Sequence, residues 1–97
     1  MQRVLLVMDD YGELIFLQTL LRKTGFDVDA IQSERSLSDG LISFNPDIMI
    51  MSAKGGKIDG VEIAQGLKQP EQKNLKIILI FTEDVQKKMQ GLKLHNV

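Results

Sequence analysis

Asp9, Asp10, Ser52 and Thr82 are the residues of this chain best suited to act together, with Lys54 and Lys57 following Ser52 in the sequence. The chemistry open to such a set runs on carboxylate and hydroxyl oxygens, with lysine ammonium groups as donors. Covalent chemistry at Ser52 is poorly supported, because a serine hydroxyl near neutral pH needs an adjacent base. The single histidine, His95, lies in the terminal segment, so no Ser-His-Asp arrangement is available. Ser52 reads more simply as a small polar residue at the end of a strand. The run Ala53-Lys54-Gly55-Gly56-Lys57 combines glycine and lysine as phosphate-cradling loops do, but Met51 and Ile58 occupy the positions where a P-loop requires glycine and a hydroxyl. It reads instead as a solvated turn whose glycines permit positive φ.

The elements that must position these residues follow from the apolar pattern. Val4 to Met8 is a continuous apolar run, as expected of a strand buried on both faces. Asp9 and Asp10 stop it. From Gly12 to Thr24 the leucines at 14, 17 and 21 recur at helical spacing, Arg22 and Lys23 suit the negative end of the helix dipole, and Gly25 is the expected left-handed C′ residue. Phe26 to Ile31 alternates as an edge strand would, with Phe26, Val28 and Ala30 on one side. Ser33-Glu34 opens a second helix with Leu37, Leu41 and Phe44 on one face, and Pro46 marks its end.

Asp47 to Met51 is the third strand, and Ser52 to Ile58 a loop. Asp59 and Glu62 have capping-box spacing for a third helix that carries Val61, Ile63, Ala64 and Leu67 and that Pro70 helps to end. Leu75 to Phe81 gives the strongest strand signal, and Thr82-Glu83-Asp84 starts a short fourth helix with Val85, Met89 and Leu92. Strands alternating with helices imply right-handed βαβ units and an open parallel sheet, whose sites form outside the C-terminal strand ends. Asp9, Asp10, Ser52 and Thr82 all fall at that edge.

Ninety-seven residues, 43% of them hydrophobic, suit one small domain with a thin stability margin. The absence of cysteine excludes a disulfide framework and thiolate metal sites. A formal net charge of -1 creates no field to attract nucleic acid, and the lysines at 87, 88 and 93 read as a solvated helix face. The apolar runs fall far short of the ~20 residues that span a bilayer, and the start lacks signal-peptide character. The chain reads as cytoplasmic, with no membrane and no nucleic acid among its expected partners.

The segments RVLLV, LLRKTGFDV, PDIMIMSAKGGKIDG and KIILIFT, with the Asp59-Gly60 pair at its distance from Pro46 and the spacing on to Thr82, resemble the receiver domains of bacterial two-component response regulators. The likeness runs from Arg3 to about Asn96. It implies the CheY-like, flavodoxin-like fold with strand order 2-1-3-4 and a non-enzymatic signalling role.

The same resemblance puts Ser52 where the family carries its phosphoacceptor aspartate, and Met8 and Asp9 where it carries a pair of Mg²⁺-binding acids. Asp10 is then an extra acid, either a partial substitute or simply a turn and capping residue. Asp9 and Asp10 imply at most a weak Mg²⁺ remnant, and Lys54 and Lys57 are candidates for an anion loop. Thr82 takes the place of the switch hydroxyl, although its chemistry suits a helix N-cap equally well.

The family's fifth strand and helix have no counterpart, so residues 1–97 are expected to form a single, C-terminally incomplete receiver-like domain. The fourth strand would then present an apolar edge, and helices one and four an apolar surface that includes part of the Leu14, Leu17 and Leu21 face, to a protein partner or a second copy. A degenerate receiver acting through protein contacts is the expected function. A conventional phosphorelay receiver still tuned by phosphate or anion and Mg²⁺ is the alternative.

Overall fold

The computed structural model describes residues 1–67, 74–81 and 83. Among these residues four strands alternate with three α-helices: β1 (Arg3–Val7), α1 (Tyr11–Lys23), β2 (Asp27–Ile31), α2 (Leu37–Phe44), β3 (Ile48–Ser52), α3 (Gly60–Gly66) and β4 (Lys76–Ile80). The strands pair in parallel in the order β2-β1-β3-β4. Val4 sits opposite Val28 on one side and Ile48 on the other, and Ile48 sits opposite Lys76.

The continuous apolar runs occupy the two central strands, where side chains on both faces need cover. Alternation along β1 then divides the core into two layers. Val4 and Leu6 join Val28, Leu17 and Leu21 under α1, while Leu5 and Val7 join Met49, Met51, Leu37 and Ile63 under α2 and α3. In β2, Asp27 and Asp29 are exposed around buried Val28, as an edge strand allows.

Helix one follows its sequence signals closely. Asp10 caps its start, Thr24 its end, and Gly25 adopts φ +98°. Helix two departs from expectation. Ser33-Glu34 opens a 3₁₀ turn at Glu34–Ser36 rather than the α-helix itself, because the Ser33 hydroxyl lies 3.3 Å from that of Ser36 and caps no backbone N–H. The helix begins at Leu37 and ends before Asn45, whose left-handed φ of 50° turns the chain ahead of Pro46; asparagine tolerates that conformation better than most residues.

The third strand runs one residue later than expected and includes Ser52, which pairs with Ile80. Asp47 precedes it, its carboxylate accepting the Arg3 N–H at 2.9 Å. Helix three stops at Gly66, ahead of Pro70. The fourth helix expected from Thr82 onward falls, Glu83 apart, outside the described residues.

Among the described strands β4 forms the second edge. It is far more apolar than β2, with Ile78 45% and Phe81 59% exposed. Of the Leu14, Leu17 and Leu21 face, Leu14 is buried, while Leu17 and Leu21 are partly buried against the α1 side of the sheet. The exposed large hydrophobic side chains of α1 are Tyr11, Ile15 and Leu20.

Candidate functional site

The C-terminal ends of β1 and β3 lie side by side, and each continues into a loop that leads to a helix. Met8 extends β1 by one residue, its N–H donating to the Ile31 carbonyl at 3.1 Å and its side chain fully buried. A buried methionine there is core, and the first polar side chain past the strand is Asp9.

The two adjacent acids have separate partners. Asp10 is exposed and accepts the Glu13 backbone N–H on Oδ1 at 3.0 Å, the N-cap bond of α1. Asp9 is half-buried and reaches across to the loop after β3, where its Oδ2 accepts the Lys57 backbone N–H. Chain direction separates them: one carboxylate turns back onto its own helix and the other spans to a different βα unit.

Ser52 ends β3 and is 2% exposed. The next residue, Ala53, is also buried and donates its N–H to the Ile80 carbonyl at 2.7 Å, so the β3–β4 ladder continues past the strand. Lys54 and Lys57 are exposed. The loop itself is not the loosely solvated turn its composition suggests. Gly55 N–H donates to the Ile58 carbonyl at 2.7 Å, and Ile58 is fully buried in the α2/α3 side of the core. Burying an isoleucine is worth roughly 1.5–3 kcal/mol, enough to anchor the segment.

The glycines of this loop are not needed for positive φ, since Gly25 is the positive-φ glycine among the described residues. Clearance explains them. A Cβ on Gly55 would lie 2.7 Å from Asp9 Oδ1 and 3.0 Å from the Ile58 carbonyl oxygen. Gly60, the second residue of the Asp-Gly pair, is tighter still, with a Cβ there meeting the Ser52 carbonyl oxygen at 2.3 Å. Asp59 caps α3 by accepting the Glu62 N–H at 3.1 Å, as the capping-box spacing predicts.

The structure therefore brings Asp9 together with Gly55, Gly56 and Lys57, and places Ser52 at the base of the same edge. Asp10 is directed to its helix cap, and Thr82 lies outside the described residues. Among the described residues, no group of three or more acids or histidines is placed to hold a metal ion. Gly55, Ile58 and Gly60 are the residues whose part in building this edge was missed from the sequence. The one legible signal was an isoleucine ending an otherwise polar, glycine-rich loop.

No family model matches the sequence. The fold does match solved structures. A signal receiver domain of a response regulator from Bermanella marisrubri superposes with a TM-score of 0.74 at 25% identity, covering 94% of this chain and 77% of that one. A response regulator receiver domain protein from Clostridium thermocellum gives 0.72 at 21% identity, covering 96% of this chain and 75% of that one. Their likeness, with the parallel order 2-1-3-4, makes this a CheY-like receiver fold.

Proposed function

We propose that this chain is a degenerate receiver, a non-enzymatic cytoplasmic signalling module that acts through protein contacts rather than through a phosphorylated aspartate. Ser52 carries this reading. It occupies the C-terminal end of β3, where the resemblance puts the phosphoacceptor, and it offers a buried neutral hydroxyl in place of a carboxylate. A hydroxyl neither attacks a phosphoryl donor unaided nor adds charge to a cation site. Met8, in place of the family's other acid, removes a second charge.

The partner reading rests on β4. An apolar strand edge is a template for another chain; among the described strands β4 lies at such an edge, and Ile78 and Phe81 supply exposed apolar surface there. Neither a membrane nor a nucleic acid is an expected partner; no helix among the described residues is long and apolar enough to cross a membrane.

The test is an amide NMR titration with Mg²⁺ followed by beryllofluoride, a phosphoryl mimic. The resonances of Asp9 and Ser52 are expected to stay in place at millimolar additions. Saturable shifts spreading from Ser52 would mean that a conventional phosphate-tuned receiver survives, with Lys54, Lys57 and Thr82 organising the anion. The partner arm is separate. Ile78→Glu should leave the melting temperature nearly unchanged and shift any self-association, followed by sedimentation velocity, to the monomer.

A further inference from the structure

Asp9 is the acid that the resemblance assigns to a cation, yet its carboxylate is enclosed by backbone from a loop 48 residues away. Oδ2 accepts the Lys57 N–H, and Oδ1 faces the Cα of Gly55 so closely that a Cβ would stand 2.7 Å from it. A Cβ on Gly56 would come within 3.4 Å of Oδ2. Consecutive loop residues thus wrap one carboxylate, and two of them lack side chains where a side chain would crowd it.

The two ends of this grip are firmly placed. Met8, just before Asp9, is locked into the sheet by burial and by its bond to Ile31. Across the crevice, the Gly55 N–H to Ile58 carbonyl bond and the buried Ile58 side chain hold the loop. An N–H bonded to an ionised carboxylate is a strong hydrogen bond. Mg²⁺ keeps several of its own waters and needs room around its ligand oxygens, so it would compete with the Lys57 N–H at Oδ2 and with the close approach of Gly55 at Oδ1.

We propose that Asp9 is a structural clasp for the loop between β3 and α3, gripping Gly55 to Lys57 by their backbone, and that this grip withdraws the carboxylate from cation binding. The loop is pinned across the crevice by these contacts. The inference deepens the degenerate-receiver reading, on which its account of cation binding rests, while the clasp itself is tested independently.

The experiment is hydrogen exchange and chemical shift of the Lys57 amide in the full chain, comparing wild type with Asp9→Ala, Asp9→Asn, Gly55→Ala and the neighbouring control Asp10→Asn. Loss of a bond to a charged acceptor should speed Lys57 exchange by about tenfold to a hundredfold in Asp9→Ala, with β1 and β3 amides unchanged. Asp9→Asn, which keeps the shape and an acceptor oxygen, should fall between, so the clasp remains readable if the alanine variant unfolds. Gly55→Ala should release Lys57 with the acid still present, and Asp10→Asn should not. Wild-type Lys57 should ignore millimolar Mg²⁺.

Unchanged Lys57 exchange in both Asp9 variants would overturn the clasp, as would a saturable Mg²⁺ shift of that amide. A beryllofluoride response at Ser52 with the Lys57 bond intact would instead sink the functional reading and leave the clasp standing.

Discussion

The two ends of the sheet are tied together by different means. At the N-terminal end the Asp47 carboxylate accepts the Arg3 N–H at 2.9 Å, and the long Arg3 side chain adds ties of its own: Nη1 donates to the Phe44 carbonyl at 3.1 Å and Nε lies 3.9 Å from the Asp27 carboxylate, Arg3 and Asp27 both being about half exposed. At the C-terminal end the ties run to backbone, with carboxylates of Asp9, Asp10 and Asp59 each accepting an N–H and glycines passing close to fixed oxygens. A flexible, solvated arginine can relax around a change, whereas a carbonyl oxygen at the end of a buried strand cannot. The candidate site has been built at the end where clearance, rather than charge, limits the choice of residue.

That difference predicts a ranking of effects. Gly60→Ala should be the most damaging, since its Cβ would meet the Ser52 carbonyl at 2.3 Å and Met51 Cβ and Leu79 Cδ2 at 3.0 Å. A loss of about 2–3 kcal/mol or more is expected from the urea midpoint. Gly66→Ala, in the same helix but with nothing within 4 Å, should instead stabilise by about 0.4–1 kcal/mol. Equal effects at the two glycines would remove clearance as the explanation.

Next come the helix caps. Asp10→Ala and Asp59→Ala should each cost about 1 kcal/mol in the same unfolding assay, typical of a lost N-cap. If Asp10 contributed to a cation site, added Mg²⁺ would stabilise wild type over Asp10→Ala, which is not expected.

Arg3→Ala, at the opposite end, should change stability by under about 1 kcal/mol, because exposed ion pairs are screened and solvent replaces the lost donors. A loss as large as that of Gly60→Ala would show that the N-terminal end is no more tolerant than the site.

Local signals explain why so much of the fold was legible. The run Val4 to Met8, the leucines at 14, 17 and 21, Gly25 and the Asp59/Glu62 spacing each act within one or two turns of chain, and each appears where the sequence puts it. The 3₁₀ turn at Glu34–Ser36 was missed because two serine hydroxyls, 3.3 Å apart, satisfy one another locally where a cap was expected. The site was legible only in outline. Asp9, Asp10 and Ser52 were placed at the correct edge, but nothing near Asp9 in sequence identifies its partner.

What the amino-acid order determined on its own was the succession of elements, their faces and the parallel arrangement, since periodicity, capping and breaker residues act over short stretches of chain. Only the tertiary structure decided that neighbouring acids take different partners and that Gly55 and Gly60 stand where a Cβ would strike oxygen. Such choices depend on distances between residues far apart in the chain. They come into being when the sheet brings the ends of β1, β3 and β4 together.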